Sequence, residues 1–323
     1  MAFIPYGRQW LGAEEIAAVE AVLGGDLLTT GPRVAEFERA LAAYCGARYA
    51  VAVSSGTAAL HLASLALLRP GDKVLTTPNS FLATANAILY AGARPLFVDI
   101  GKDGNLDLEL CAERLRRDSR IKALYAVHFS GRPCAQEKLA RLQAEFGVTI
   151  LEDCAHSLGA DCDGGRAGGC HHSRAAILSF HPVKNITTGE GGAITTNDEK
   201  LYRRLLRLRN HGIERKEFQN RKLALDENGR PNPWYYEMTE LGFNYRITDI
   251  QCALGLVQLG KLDGFLARRR ELAQGYDRAF AGHPAIRPLY PFDRRSAYHL
   301  YVVRIAFEQL SVTRAQLFER LRE

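Results

Sequence analysis

The sequence has 323 residues, of which 47% are hydrophobic and 24% are charged, and this composition is typical of a globular protein rather than a disordered or membrane-embedded one. Its formal net charge of +6 comes from 42 basic and 36 acidic residues. The basic residues are spread along predicted helices, so they indicate solvated helix faces and exclude a dense nucleic-acid-binding patch. The length allows one large domain with a smaller companion.

The sequence also bears on compartment and metal content. No segment is apolar enough to span a bilayer, and the first residues lack a signal-peptide pattern. Seven cysteines scattered from Cys45 to Cys252 predict no disulfide framework, so we expect a reducing cytoplasm. The segment CDGGRAGGCHH (162–172) brings two cysteines near two histidines, but its spacing fits no standard zinc pattern. We predict a glycine-rich loop there and no metal.

Strands and helices alternate from residue 48 onward. Apolar runs predict strands at 49–55, 72–77, 94–100, 121–129, 148–155 and 175–180, and helical periodicity predicts helices at 57–68, 81–92, 106–118 and 135–147. Such alternation predicts an α/β fold with a mostly parallel central sheet that is flanked by helices on both faces.

The second half of the sequence predicts a smaller unit. A further strand at 191–197 and a basic helix at 199–210 precede a polar segment, 214–240, which we predict to be a long loop. A helical region from Ile247 to about Phe280 has glycines that predict interruptions near Gly260 and Gly264. A strand at 297–305 and a helix at 313–323 would follow. We therefore predict a large domain at 1–246 and a linking helix with a small α/β domain at 247–323.

Ligands of such sheets bind beyond the carboxyl ends of the strands, so the residues that follow each strand are candidates for the site. Gly56 and Thr57 follow the first strand and open a helix. The amides of a first helical turn bind phosphate well, although an ordinary helix cap would leave the same pattern. Asp153 ends the fifth strand, where a carboxylate needs a partner. A cationic ring nitrogen would be a good partner, and a helix cap or an internal salt bridge are the alternatives.

The segment SFHPVKNITTGEGG (179–192) follows the sixth strand and carries Ser179 and Lys184. Taken alone, Lys184 would be a surface lysine. A lysine near a phosphate site and a buried carboxylate can instead form an imine with an aldehyde cofactor and then move protons. An anion cradle, a carboxylate and a lysine are together what pyridoxal phosphate requires. Phe81, just after a strand, could stack on the cofactor ring, although core packing would explain it equally well.

With these residues in place, the chain resembles the sugar-nucleotide aminotransferases of the DegT/StrS type, a branch of the fold-type I pyridoxal-phosphate enzymes. The resemblance extends from IPYGRQWLG near the start to the last residue. It rests on the segments SSGTAAL, NSFLATANAILYAGARPLFVDI, EDCAHSLGA, SFHPVKNITTGEGGAITTND and LGFNYRITDIQCALGLVQL.

The resemblance implies a role for each matching residue. Lys184 corresponds to the imine lysine, and its presence favours transamination because the dehydratases of the family carry histidine there. Asp153 corresponds to the partner of the pyridinium nitrogen. The other implied cofactor contacts are Gly56, Thr57 and Ser179 at the phosphate, Phe81 on the ring, His156 beside Asp153, and Asn244 from the partner subunit of an obligate homodimer. The candidates for substrate binding are His181, Asn185, Tyr245 and Arg246.

The resemblance further implies a reaction and a substrate. L-glutamate would donate the amino group, and SFHPVKNITTGEGG together with PWYYEMTELGFNYRITDIQ is most similar to the branch that aminates C4 of a UDP-linked 4-keto-6-deoxy sugar in pseudaminic acid biosynthesis. Another nucleotide-linked keto sugar, such as a dTDP-4-keto-6-deoxyhexose, and a non-catalytic binding or regulatory protein are the alternatives. Family members continue for several dozen residues beyond TRAQLFERLRE, so we expect the small domain to be incomplete.

Overall fold

The computed structural model describes residue 5 and residues 7–322. Ile4 and Tyr6 of the IPYGRQWLG segment and Glu323 of the last predicted helix lie outside the described residues. The centre of the protein is a seven-stranded sheet. In chain order its strands are β1 (Tyr49–Val53), β2 (Lys73–Thr76), β3 (Arg94–Phe97), β4 (Ile121–Val127), β5 (Thr149–Asp153), β8 (Ala175–Ser179) and β9 (Gly192–Thr196).

Shorter strands form three separate two-stranded ribbons. These are β6 (Asp161–Cys162) with β7 (Gly165–Arg166), β10 (Ile213–Glu214) with β11 (Glu237–Met238), and β12 (Ile286–Pro288) with β13 (Val303–Ile305). The helices of the described residues are α1 (Ala13–Leu23), α2 (Pro32–Cys45), α3 (Gly56–Leu67), α4 (Leu82–Tyr90), α5 (Leu108–Arg117), α6 (Gln136–Phe146), α7 (Glu199–Arg209), α8 (Arg221–Ala224), α9 (Asp249–Phe280) and α10 (Arg314–Arg320).

The sheet has the spatial order β1-β9-β8-β5-β4-β2-β3. The pairs β5–β8, β4–β5, β2–β4 and β2–β3 are parallel, whereas β9 is antiparallel to both β8 and β1. The prediction of an α/β fold with a mostly parallel sheet is therefore confirmed. Because β5 and β8 are parallel neighbours, Asp153 and Ser179 end at the same edge of the sheet.

Side chains that alternate along each strand build cores on both faces of the sheet. Val51, Val53 and the fully buried Tyr125 pack with α3, and the Tyr125 hydroxyl donates to Ser64 Oγ at 2.9 Å. Ala50 and Ala52 pack on the opposite face with residues of α2 and α9. A third cluster joins β2, β4 and β5 to α5 and α6. The period of two residues along β1 thus explains why helices cover both faces.

A polar contact fixes α1 on α9. Glu15 is 1% exposed, and its carboxylate accepts hydrogen bonds from Gln258 Nε2 and Lys261 Nζ, each at 2.9 Å. Gln258 Nε2 also donates to the Trp10 carbonyl at 2.9 Å. The segment before α1 is therefore held against α9, a long-range contact that the sequence did not predict. Neither α1 nor α2 was predicted from the sequence.

Three predictions about the second half of the chain are wrong in detail. α9 is continuous across Gly260 and Gly264, and only residues 303–305 of the predicted strand 297–305 are extended in a ladder. The predicted loop 214–240 contains α8 and the β10–β11 ribbon. The first part of α9 packs on α1 and α2, and β12 packs on α9. The domain boundary between residues 246 and 247 stays a prediction.

The buried carboxylate of Glu152, a residue of β5, should make the stability of the fold depend on pH in acid. Glu152 is 2% exposed and accepts hydrogen bonds from His128, Ser173 and Gln136 at 2.9, 2.5 and 2.9 Å. Burial acts to raise its pKa, but these hydrogen bonds outweigh burial and lower the pKa from 4.5 to about 2. The unfolded chain therefore binds more protons between pH 2 and 4.5, so this contribution to stability is complete above pH 4.5 and is lost as the pH falls toward 2.

We expect Glu152→Gln to lower the free energy of unfolding at pH 7 by about 2 kcal/mol and to remove this part of the acid-dependent loss. Urea unfolding at pH 3.5, 5 and 7 measures both effects. Glu137→Gln on the exposed surface of α6 is the control and should follow the wild-type pH dependence. A Glu152→Gln protein with wild-type stability at pH 7 would contradict the expectation.

Candidate active site

Asp153 lies at the carboxyl end of β5 and is 6% exposed. Its Oδ2 accepts a hydrogen bond from Thr84 Oγ1 at 2.7 Å, and its Oδ1 accepts one from the Ala155 amide at 3.1 Å. Both donors are neutral, so the carboxylate is oriented without being neutralised by an ion pair. Thr84, which is 1% exposed, was not found by the sequence analysis.

Lys184 lies in the turn that follows β8. Its amide donates to the His181 carbonyl at 2.8 Å, and the Thr188 amide donates back to Phe180 at 3.0 Å. Burial lowers the pKa of the Lys184 amine, while the negative charge of Asp153 acts in the opposite direction. The structure therefore brings Lys184 and Asp153 into one electrostatic environment, and the burial makes this lysine easier to deprotonate than a surface lysine.

The first turn of α3 approaches Ser179 closely. Ser55 caps the helix by accepting a hydrogen bond from the Ala58 amide at 3.0 Å, and the amides of Gly56 and Thr57 have no intrahelical acceptor. A Cβ atom on Gly56 would lie 2.9 Å from Ser179 Cβ, so a larger residue would collide there. Exposed amides and a hydroxyl converge at this point, which is a suitable geometry for an anion.

Gly192 of β9 also lies very close to the first turn of α3. A Cβ atom on Gly192 would lie 2.5 Å from the Ser55 carbonyl oxygen. Gly192 pairs with Ser179 on one side and with Val53 on the other. The glycine therefore lets β9 pass directly beneath the turn.

His156 is held next to this group of residues. Its Nδ1 is enclosed without a hydrogen-bond partner among the described residues, and its ring centroid lies 4.3 Å from that of His299. Burial, together with the positive charge of Lys184, lowers the pKa of His156 to about 3. His156 is therefore a neutral imidazole beside Lys184. His299 is a residue that the sequence analysis missed, because it lies 143 positions further along the chain.

Phe81 and the neighbouring loop are linked to Asp153. Phe81 is the residue before α4 and is 72% exposed, so it is not a core residue of this chain. Ser80 Oγ lies 2.7 Å from Thr84 Oγ1, which in turn donates to Asp153. This Ser80–Thr84–Asp153 chain connects the loop that carries the exposed ring to the buried carboxylate.

Two other predicted residues lie in the turn around Lys184. Asn185 is 5% exposed, its Nδ2 donates to the Leu158 carbonyl at 2.9 Å, and its Oδ1 has no partner in the described part of the chain. His181 is exposed and accepts a hydrogen bond from the Val183 amide at 3.4 Å. Asn185 lines the same cleft as Lys184, whereas His181 does not.

The segment 244–246 lies beside the first turn of α3 through its backbone. The Tyr245 carbonyl accepts from the Ser54 amide at 3.0 Å, but the Tyr245 ring packs on Phe243 and its hydroxyl lies 3.1 Å from His61 Nδ1. Asn244 is exposed. Arg246 donates to Asn210 Oδ1 at 2.6 Å. Within this chain the structure does not bring these three side chains to Lys184.

A cleft of about 980 Å³ opens onto Lys184 between α9 and the segment before α1. Its size is that of a pocket for a small molecule. The lining is cationic and aromatic, and includes Arg8, Trp10, Lys184, Phe265, Arg268 and Arg269. An anionic organic substrate would suit this cleft. Among residues 5 and 7–322, no group of three His, Cys, Asp or Glu side chains is placed to hold a metal ion.

Comparison with known proteins agrees with this geometry. The model of the DegT/DnrJ/EryC1/StrS aminotransferase family matches residues 9–323. UDP-4-amino-4,6-dideoxy-N-acetyl-beta-L-altrosamine transaminase of Campylobacter jejuni is 38% identical over 320 residues, which are 98% of this chain and 80% of that protein.

Two solved structures have the same fold along almost the whole chain. Helicobacter pylori PseC, an aminotransferase involved in the biosynthesis of pseudoaminic acid, has a TM-score of 0.87 and 33% identity, with 99% of this chain and 83% of that chain covered. The PLP form of the putative sugar aminotransferase Spr1654 from Streptococcus pneumoniae has a TM-score of 0.83 and 28% identity, with the same coverage of 99% and 83%.

The chain therefore belongs to the DegT/DnrJ/EryC1/StrS aminotransferase family. It is a sugar aminotransferase that depends on pyridoxal phosphate. The fold, enzyme class and cofactor expected from the sequence are confirmed. None of the helices that the structure describes combines the length and the apolar character of a bilayer-spanning segment.

Proposed function

We propose that this enzyme transfers the amino group of L-glutamate to C4 of UDP-2-acetamido-2,6-dideoxy-β-L-arabino-hex-4-ulose, a UDP-linked 4-keto-6-deoxy sugar, in pseudaminic acid biosynthesis. The observation that carries the chemistry is the convergence of Lys184, Asp153 and the Gly56–Ser179 contact at one edge of the sheet. The choice of sugar rests on the 38% identity to the Campylobacter transaminase.

The residues at this edge fit pyridoxal phosphate. The unused amides of Gly56 and Thr57 and the Ser179 hydroxyl would hold its phosphate, and Asp153 would keep its ring nitrogen protonated. The cofactor, when bound, supplies an electron sink for the carbon that carries the amino group.

The remaining roles belong to the other side chains of the site. Lys184 would hold the cofactor. It would then carry a proton between the α-carbon of the amino donor and the cofactor carbon that receives the amino group. This task suits an amine whose pKa is lowered by burial. Phe81 would cover one face of the ring, and the neutral His156 would lie beside it. Each of these groups is positioned before substrate arrives, so the protein mainly orients the reactants and excludes water.

The substrate and subunit contacts form a second part of the proposal. His181, Asn185, Tyr245 and Arg246 would contact the nucleotide sugar, and the exposed Asn244 would reach the phosphate of the neighbouring subunit in a homodimer. Arg246 contacts Asn210 and the Tyr245 ring packs on Phe243 of the same chain, whereas the exposure of Asn244 supports its contact with a partner. A cytoplasmic location is also part of this proposal, supported by seven cysteines that form no disulfide in the described residues.

The test is an aminotransferase assay with purified, cofactor-loaded protein and a panel of UDP- and dTDP-linked 4-keto sugars. With L-glutamate as donor, we expect 2-oxoglutarate to form beyond the single equivalent per active site only with the UDP-linked 2-acetamido sugar, and mass spectrometry should show amination of the sugar. Amination of dTDP-sugars alone would replace the proposed substrate while leaving the enzyme class intact. A protein that binds the cofactor and aminates no member of the panel would overturn the proposal.

A further inference from the structure

His299 is held in place by an unusual backbone arrangement. The segment 296–300 lies against the turn at 129–131, where the Ala297 amide donates to the Gly131 carbonyl at 2.9 Å and the Leu300 amide donates to Ser130 at 3.1 Å. Ser130 and Tyr298 have φ values of 59° and 44°, a conformation that is strained for residues with side chains. Strain of this kind persists where the surrounding structure fixes the position of a side chain, often at a functional site.

The His299 ring has no partner of its own. The side chain is 9% exposed, and its Nδ1 is enclosed with no hydrogen-bond partner among the described residues. A buried N–H without an acceptor costs more than a buried lone pair without a donor, so the proton resides on Nε2. Nε2 is thus a hydrogen-bond donor that is available to a ligand. The facing ring of His156 also has an enclosed Nδ1 without a partner in the described residues, so the two imidazoles do not satisfy each other through these atoms.

Arg269 supplies an uncompensated positive charge at the same place. Its Nη1 donates to the carbonyls of Tyr298 and His299 at 3.1 and 3.3 Å, and it lines the cleft that contains Lys184. No carboxylate of the described residues forms an ion pair with it, and burial lowers the pKa of the guanidinium. Among the described residues, Asp153 is the anion whose charge acts to raise the pKa of Lys184. Arg269 is therefore a cation of this cleft without a carboxylate partner in the described part of the chain.

We propose that Arg269 and His299 bind the α-carboxylate of the amino donor. A planar carboxylate can accept hydrogen bonds from a guanidinium and from an imidazole N–H together. The donor's amine is one carbon away from that carboxylate and has to exchange with the Lys184 amine, so the carboxylate-binding groups must lie near Lys184. Arg269 lines the same cleft as Lys184, and the charge of Lys184 acts on His299. This inference rests on the proposed function, because it names the groups that recognise the donor in that reaction.

The test uses two polar replacements that differ in reach. His299→Asn places an amide near the position of Nδ1 and cannot donate from the position of Nε2, whereas His299→Gln can. In the cofactor-loaded protein, calorimetry measures the Kd of glutarate, an unreactive dicarboxylate, and of UDP. We expect His299→Asn to raise the glutarate Kd and the KM for L-glutamate about tenfold or more, because a hydrogen bond to a charged group is lost. His299→Gln should stay within about threefold of wild type, and UDP binding within about twofold in both.

Further measurements keep the result interpretable. His172→Asn, a change in a half-buried histidine that does not line the cleft, is the control and should bind glutarate like the wild type. If His299→Asn fails to fold, Arg269→Lys tests the inference instead. This change keeps the positive charge and removes the planar guanidinium, so it should weaken glutarate binding at least about fivefold. Unchanged glutarate binding in His299→Asn, or an equal loss of UDP binding, would overturn the inference.

Failure of the proposed function gives a different result. A wild-type enzyme that converts no L-glutamate, while binding the cofactor, contradicts the proposed function itself. A wild-type enzyme that converts L-glutamate, with His299 variants that bind glutarate normally, contradicts only the assignment of the carboxylate site.

Discussion

Replacing Lys184 with alanine should lower kcat by at least about 10⁴-fold, because one side chain is proposed both to hold the cofactor and to carry the proton. The fold should survive the change. Burial lowers the pKa of this amine, which means that the charged form is disfavoured in the folded protein, so truncation removes a group that costs stability. We expect the Tm of the cofactor-free variant to equal or exceed that of the wild type.

Three measurements check this expectation. Steady-state assays give kcat, visible absorbance reports the lysine-bound cofactor, and calorimetry of the cofactor-free protein gives the Tm. Lys200→Ala, which truncates an exposed lysine of α7, is the matched control and should retain wild-type values in all three. A Lys184→Ala enzyme that keeps more than about 1% of the wild-type kcat would show that another group carries the proton.

Replacing Asp153 with asparagine should lower kcat by roughly 10³-fold. The amide keeps an oxygen that can accept from Thr84, so the geometry is preserved while the negative charge is removed. Without that charge the ring nitrogen of the bound cofactor loses the group that keeps it protonated. The measured quantities are kcat and the pH dependence of the bound cofactor's absorbance.

Thr84→Val provides a graded comparison for the same site. It removes the hydroxyl that donates to Asp153 at 2.7 Å but leaves the carboxylate in place. The expected loss in kcat is about tenfold, with the cofactor spectrum altered in the same direction as in Asp153→Asn. If both variants kept the wild-type spectrum and rate, Asp153 would have a structural role only.

Residues at the ends of strands were predictable because the parallel sheet places them at one edge. Asp153 and Ser179 each end an apolar run that is long enough to identify as a buried strand, and the alternation of strands and helices fixes their common direction. The positions of Gly56 and Lys184 follow from the same rule, since both come just after a strand. Local pattern therefore sufficed for the residues nearest the sheet.

Contacts between distant segments could not be predicted in this way. Thr84 and Asp153 form a hydrogen bond although they are 69 positions apart in the sequence. His299 contacts His156 because of a turn with positive φ values, and the pattern of apolar residues does not predict such a turn. Segment 297–305 is rich in apolar and aromatic residues, but the backbone hydrogen bonds of its first part go to Ser130 and Gly131 rather than to a strand. Tertiary hydrogen bonding overrode the local preference for a strand.

In the continuous helix α9, tertiary packing likewise outweighs the low helix propensity of two glycines. Gly260 and Gly264 lie on its open side, where an added Cβ would touch nothing, and each costs about 1 kcal/mol relative to alanine. The buried face carries Leu259, Leu262 and Leu266, whose burial contributes about 2 kcal/mol each. Packing therefore outweighs the glycine penalty, which a prediction from propensity alone could not weigh.

The length of α9 has a mechanical consequence. At 1.5 Å per residue its 32 residues form a rod of about 48 Å. A change of about 5° in tilt at its first turn would move its far end by about 4 Å. The Glu15 contact with Gln258 and Lys261 anchors the first half of this rod, and Arg269 lies in its second half. One buried carboxylate thus anchors the helix that forms one wall of the cleft.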